Sequence, residues 1–357
     1  MARVVVSWSS PRRRFELSAP AEIHDLEAAR SQLRQGMLLC ALLPFDGAER
    51  ISAAVGFPRS VSSVVDPAEQ RAPAEVRHLG SSTGRGAFQA AIHEAISRIE
   101  DGSIEKVVLA RHVDLTSSEP WAVRDVLARL RSRGRTARFS YSQGNHTIIG
   151  ASPELLVSHD GTEICSVPLA GSRARPPRPA DRSNTINALE RSAKDNHEHQ
   201  VVVDAVHETL RPLGPVRQRR GVVQTTDSLH LMTELRVRPV APVRSLDVAR
   251  RLHPTPAICG TPRSAAKDLL RELEDRDRGY FSGVVGWEAA DGTGEWWLVI
   301  RSAELAGRSA TASAGVGIVR GSDPAAELAE TDHKLRPMLR ALGVSDIPSL
   351  DRRTEEP

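Results

Sequence analysis

Single helical stretches alternate with two or three short apolar strands joined by tight glycine turns. This alternation constrains the fold more than any other feature of the chain. Three hairpin turns are visible, at Gln143-Gly144-Asn145, Asp160-Gly161 and Asp291-Gly292. Connections that short join antiparallel neighbours. The pattern predicts an α+β fold with large antiparallel sheets covered by helices, not a parallel doubly wound sheet. From residue 84 onward no linker marks a domain boundary, and no exact short repeat is present.

Leu38 to Leu43, ended by Pro44, reads as a buried strand with a turn at Asp46-Gly47, and 57–73 as a long surface loop. Phe88, Ile92, Ala95, Ile96 and Ile99 recur at helical spacing until Asp101-Gly102. Lys106 to Arg111 is a strand with Lys106, Val108 and Ala110 on one face. A helix from about Trp121 to Arg131 precedes strands near 138–142 and 147–150, and Ala151 to Val157 enters a second hairpin that returns through Ile164 to Ser172. One long helix is expected after Asn184, continuing through Val202 and Ala205. Residues 229–237 alternate as a strand, Ser245 to Leu252 is a short helix, His253 to Pro262 a rigid loop, and Ala265 to Arg276 an amphipathic helix. Phe281 to Trp287 and Trp296 to Arg301 form the third hairpin. Ala314 to Val319 is a glycine-rich strand end. No GxGxxG opens a helix there, but Gly315 and Gly317 at alternate positions let backbone N–H groups approach a small anion. The last helix begins at Asp323-Pro324, a cap followed by proline at its first position.

Two acidic clusters stand out. Glu190, Lys194 and Glu198 lie at i, i+4 and i+8, with Asp195 three residues before Glu198. Near the C-terminus Glu327 and Glu330 are followed by Lys334. Either cluster alone reads equally as a solvated strip of ion pairs. Together, two helices offering carboxylates with a lysine beside one could hold a hard divalent cation and an anionic ligand, with magnesium the natural ion.

Composition narrows the classes. No apolar run is long enough to cross a bilayer as a helix, so no membrane span is expected. Cys40, Cys165 and Cys259 are odd in number and far apart, which suggests neither disulfides nor zinc and fits a reducing cytoplasm. The apolar patch precedes Arg12-Arg13-Arg14, the reverse of a signal peptide. Net charge is only +3, and basic and aromatic residues do not interleave, so no nucleic acid is expected as partner. Four lysines stand against 44 arginines. A retained lysine draws notice because, desolvated, it can lose its proton and arginine cannot. Lys106 reads either as a strand-entry charge that snorkels to water or as a base facing a cavity. Glu154, between Pro153 and an apolar run, reads either as a surface strand-start or as a partly buried carboxyl suited to donate a proton.

These motifs resemble the chorismate-utilising enzymes: isochorismate, salicylate and anthranilate synthases and aminodeoxychorismate synthase. The matching pieces run in order: Lys106 to Arg111, Ser152 to Glu154, Pro168 to Ser172, Lys194 to His199, His253 to Pro256, Arg278 to Trp287, Ala314 to Val319 and Glu327 to Lys334. Eight ordered motifs between Lys106 and Lys334 are specific, whereas the stretch 1–80 matches weakly. The resemblance implies one large α/β/β/α domain, with 1–80 as its variable part and 81–345 as the chorismate-binding core. It also implies magnesium on Glu198 and Glu330, with Glu327 and Asp195 acting directly or through water. Substrate contacts would come from Gly171, Ser172, Ala257, Phe281, Arg301, Gly315, Gly317 and Lys334.

Three positions choose within the family. Lys106 stands where isochorismate and salicylate synthases resemble one another in having the lysine that activates water; anthranilate synthases have glutamine there and use a glutaminase partner, which is not expected here. Ala170 stands where aminodeoxychorismate synthases of the nucleophilic type have lysine. Ala257 stands where salicylate synthases tend to have threonine, a residue tied to pyruvate loss. The resemblance therefore implies a monomeric cytoplasmic isochorismate-forming isomerase, with the salicylate-forming reaction as the alternative. The stretch Leu43 to Asp46 leans towards siderophore rather than menaquinone synthesis. In the expected mechanism Lys106, kept neutral, removes a proton from the water attacking C2, and Glu154, kept protonated, donates to the hydroxyl leaving C4.

Overall fold

The computed structural model describes residues 3–46, 51–61, 73–81, 84–130 and 134–344. Within these, all strand pairing is antiparallel, in one ten-stranded and one nine-stranded sheet. The sheets face each other, and helices cover both outer faces. Arg85–Glu100, Val123–Arg129, Arg263–Leu273 and Pro324–Ala341 pack on the ten-stranded sheet. Leu26–Ser31, Arg182–Arg191, Ala193–Leu210 and Ser245–Leu252 pack on the other. This is the α+β arrangement that the hairpins implied.

Side-chain alternation explains the layers. In Leu38–Leu43 every residue is buried, because Leu38, Cys40 and Leu42 enter the core between the sheets while Leu39, Ala41 and Leu43 meet helices outside. Trp296 and Trp297 divide the same way, the first towards the helices and the second into the interior. The N-terminal segment is integral to both sheets. Val4–Ser9 lies between Arg14–Ala19 and Ala137–Gln143, and Leu38–Leu43 pairs with Val284–Ala289.

The chain departs from the expected elements in several places. The helix after Asn184 is two helices, broken at Ser192, whose backbone is extended and whose hydroxyl accepts from the Asp195 N–H as an N-cap. Glu190 thus lies on a different helix from Lys194 and Glu198, so the three-residue face does not exist. Strands at Val216–Gln224 and Ser302–Ala306 were not expected. The strand predicted to run to Arg301 ends at Leu298, and Phe281 lies in a turn before Val284–Ala289. Arg59–Ser60 pairs with Phe15 and Glu16, inside the stretch read as loop, while its residues 62–72 lie outside the described residues, as do Gly47 of the expected turn and Arg131.

Two crossovers between the sheets fix the functional end of the molecule. His146–Ser152 belongs to the ten-stranded sheet and Leu155–His159 to the nine-stranded one, so Pro153 and Glu154 bridge them. Gly294–Leu298 and Ser302–Ala306 cross in the opposite sense through residues 299–301. The crossovers bond to each other, the Leu298 N–H donating to the Glu154 carbonyl at 3.2 Å and the Ala151 N–H to the Arg301 carbonyl at 3.2 Å.

Candidate active site

A cavity opens at these crossovers, between the two sheets' ends. Its wall includes Glu154, Gly171, Ser172, Glu198, Ala257, Phe281, Arg301, Gly315, Gly317, Glu330 and Lys334. These residues come from both crossovers, from strands, helices and loops, and all were singled out from the sequence.

Glu154 is 5% exposed and accepts one long bond, 3.3 Å, from the Leu169 N–H. Burial pushes its carboxyl up to about 8, against the pull of that bond and of Lys106, Lys334 and Arg301. It is therefore a protonated acid at neutral pH, aimed into a cavity. Arg301 has φ 52°, a left-handed backbone that few arginines adopt. Burial lowers its guanidinium to about 10, which leaves it charged.

The strand end Ser309–Ile318 supplies a free edge. Its pairing with Ser302–Ala306 stops at Ser302 opposite Ser313, while pairing with Lys106–Ser117 continues to Ile318. The Gly315 carbonyl accepts from Lys334 Nζ at 3.0 Å on the open side. In an antiparallel strand the N–H of a residue points the same way as its carbonyl, and alternate residues repeat it, so the Gly315 and Gly317 N–H groups face that side too. At Gly317 a Cβ would lie 2.2 Å from Glu198 Oε1 and 3.1 Å from Lys106 Cε, so any side chain there would displace Glu198 from its present position. Gly171 has φ +70°, and a Cβ there would lie 3.0 Å from Asp195.

Lys106, Asp195 and Glu327 are not part of the cavity wall. Lys106 is fully buried directly behind Glu198, with Nζ 3.0 Å from Glu198 Oε1. For its amine to act on a water, that ion pair with Glu198 must open. Asp195 backs Gly171 and pairs with Arg173 at 3.4 Å. Glu327 accepts a hydrogen bond from Lys194. Glu330 accepts from Ser172 Oγ at 2.9 Å and pairs with Lys334 at 2.7 Å. Burial alone would raise Glu330, but Lys334, Ser172 and Lys194 bring it down to about 2, so it is ionised.

Sequence reasoning missed His230, Ile258, Ser282 and Ile300, which also line the cavity. His230 is 6% exposed, and its Nε2 has no hydrogen-bond partner among the described residues. Burial first, then Arg301 and Lys334, lowers it to about 3, so the ring is neutral. Its signal was available: in the alternating strand that contains Leu229, Leu231 and Leu235, His230 occupies the opposite face.

Among the described residues no three acidic, His or Cys side chains already form an ion cage. The donor set nevertheless suits a hard cation. Glu198 and Glu330 are oxygen donors on one cavity, and lysines stand against all of Glu198, Glu327 and Glu330, where the charge of a cation would be met.

Residues 48–343 match the family model described as chorismate binding enzyme. Isochorismate synthase DhbC of Bacillus subtilis is 42% identical over 272 residues, 73% of this chain and 68% of the relative. The vibriobactin-specific isochorismate synthase of Vibrio cholerae is 35% identical over 336 residues, 89% of this chain and 82% of the relative. The solved structure of DhbC from Bacillus anthracis superposes with a TM-score of 0.87 at 32% identity, covering 96% of this chain and 97% of that one.

Proposed function

This chain belongs to the chorismate-binding enzyme family, and on that premise we propose that it is an isochorismate synthase, moving the hydroxyl of chorismate from C4 to C2. The observation that carries the reading is Glu154, a carboxyl on the cavity wall that burial holds protonated amid cations. Arg301 and Lys334, both on the cavity wall, bind the two carboxylates of the substrate in this reading, the arginine through paired hydrogen bonds. Glu154 gives its proton to the hydroxyl leaving C4, and that group departs as water. Lys106, acting as the free amine once its pairing with Glu198 is released, takes a proton from the water whose oxygen bonds to C2. One proton is given and one taken, one water is lost and one added, so the product is an isomer of the substrate.

The residues that would hold magnesium are Glu198 and Glu330, with Glu327 and Asp195 behind them. When bound, the ion neutralises the ring carboxylate and favours its orientation. Cation binding at Glu198 also offers a reason for that carboxylate to release Lys106. Absence of a lysine at Ala170 and of a threonine at Ala257, both on the cavity wall, supports the isomerase over aminating and pyruvate-releasing relatives. The vibriobactin-specific relative supports a place in siderophore synthesis.

The test is incubation of the isolated chain with chorismate and magnesium, followed by chromatography and mass measurement. A new species of chorismate's own mass is expected. Salicylate and pyruvate would move the reading to the alternative reaction, and a requirement for glutamine or ammonia would overturn it.

A further inference from the structure

We propose that Lys194 is the exchangeable counter-ion of the acidic cluster: it holds Glu327 while no divalent cation is bound, yields it when one binds, and so sets how tightly the site takes the ion. The proposal rests on the magnesium reading above.

Three lysines stand against three carboxylates in this cluster, and they are not equivalent. Lys106 is fully buried, with its Nζ against Glu198 at 3.0 Å. Lys334 is tied at two points, to Glu330 at 2.7 Å and to the Gly315 carbonyl at 3.0 Å. Lys194 is 33% exposed, and its described hydrogen bond goes to Glu327 alone. It is the lysine that can withdraw into solvent on a flexible stem.

Its partner cannot follow. Glu327 is 2% exposed, so losing Lys194 to water would strand a buried carboxylate, which is strongly unfavourable. Withdrawal is therefore favoured by arrival of another positive charge, a divalent cation or a proton on the carboxylate. The Lys194 ammonium also lies in the field of Glu198 and Glu330, the pair that would ligate the ion. Lysine and divalent cation thus compete for one patch of negative potential, and the lysine keeps the cluster stable without metal.

The experiment titrates Mn²⁺, without chorismate, into the full chain and its variants, reading free Mn²⁺ by electron paramagnetic resonance. Wild type should bind one ion that Glu198→Gln weakens. Lys194→Met should bind it about fivefold or more tightly than wild type, because one repelling charge has gone, while Lys194→Arg should stay near wild type. Lys194→Gln, which keeps a hydrogen bond for Glu327, replaces the methionine variant should that one fail to fold. Unchanged or weaker binding to the neutral variant that folds, with the Glu198→Gln effect present, overturns the role of Lys194 alone. Absence of any Glu198-dependent binding in wild type overturns the magnesium reading and this proposal with it.

Discussion

At the residue scale the protein turns on desolvation of one carboxyl. Glu154 carries no partner strong enough to offset its burial, so it keeps its proton to about pH 8. Turnover should accordingly fall as pH rises through about 8, and Glu154→Gln should lose at least about 100-fold in kcat while folding normally, both read by steady-state assay. Stability follows the same sign. The folded pKa lies above the ordinary 4.5, so the stabilising contribution of the bound proton is complete below 4.5 and is lost as pH rises through about 8. The melting temperature of wild type should therefore fall relative to Glu154→Gln across that window, and parallel melting curves would show that the carboxyl is not buried in this way. The sequence left Glu154 undecided between surface and interior, because neighbours in sequence do not reveal what covers a side chain. Lys106 was undecided for the same reason; its complete burial and its contact with Glu198 come from strands and helices far along the chain.

Helices and strands hold these groups by specific anchors. Asp332, on Pro324–Ala341, accepts from Arg111 at 2.6 Å and from Arg85 at 2.9 Å, and Arg111 is fully buried. Asp332→Ala would leave that guanidinium without its carboxylate, at a cost of about 3–5 kcal/mol, measured by urea unfolding. The same change should loosen the helix that presents Glu330 and Lys334. Elements with a buried apolar stripe were legible: Ser245–Leu252 has the bounds its spacing predicts. The break at Ser192 was missed, since no proline or glycine marks it; its one sign was a serine, a residue favoured at helix N-caps, three before Asp195. Val216–Gln224 was missed because an edge strand rich in exposed arginine lacks the apolar alternation by which strands are recognised.

Across the whole molecule, the N-terminal part of the chain is structural cement although it matches the family motifs least. Trp8 stacks with Phe15 at 6.3 Å and meets Phe139 at 6.5 Å, and Phe15 meets Trp287 edge-on at 6.4 Å. Deleting the segment 1–36 uncovers Ala137–Gln143 and this aromatic interior, and the product should lack a cooperative melting transition and accumulate as insoluble protein. A soluble fragment that melts cooperatively would contradict this. What the sequence by itself determined is local and periodic: the antiparallel hairpins, the helix spacings, and ordered motifs whose residues mostly reach one cavity. What only the tertiary structure decided is pairing and burial. Two crossovers bring Glu154 beside Arg301, the helices Ala193–Leu210 and Pro324–Ala341 share one acidic cluster although they are distant in chain order, and each of its carboxylates meets a particular lysine. Periodicity is written in neighbouring residues, whereas the dielectric around a charge, and the partner that neutralises it, depend on chain segments that meet only after folding.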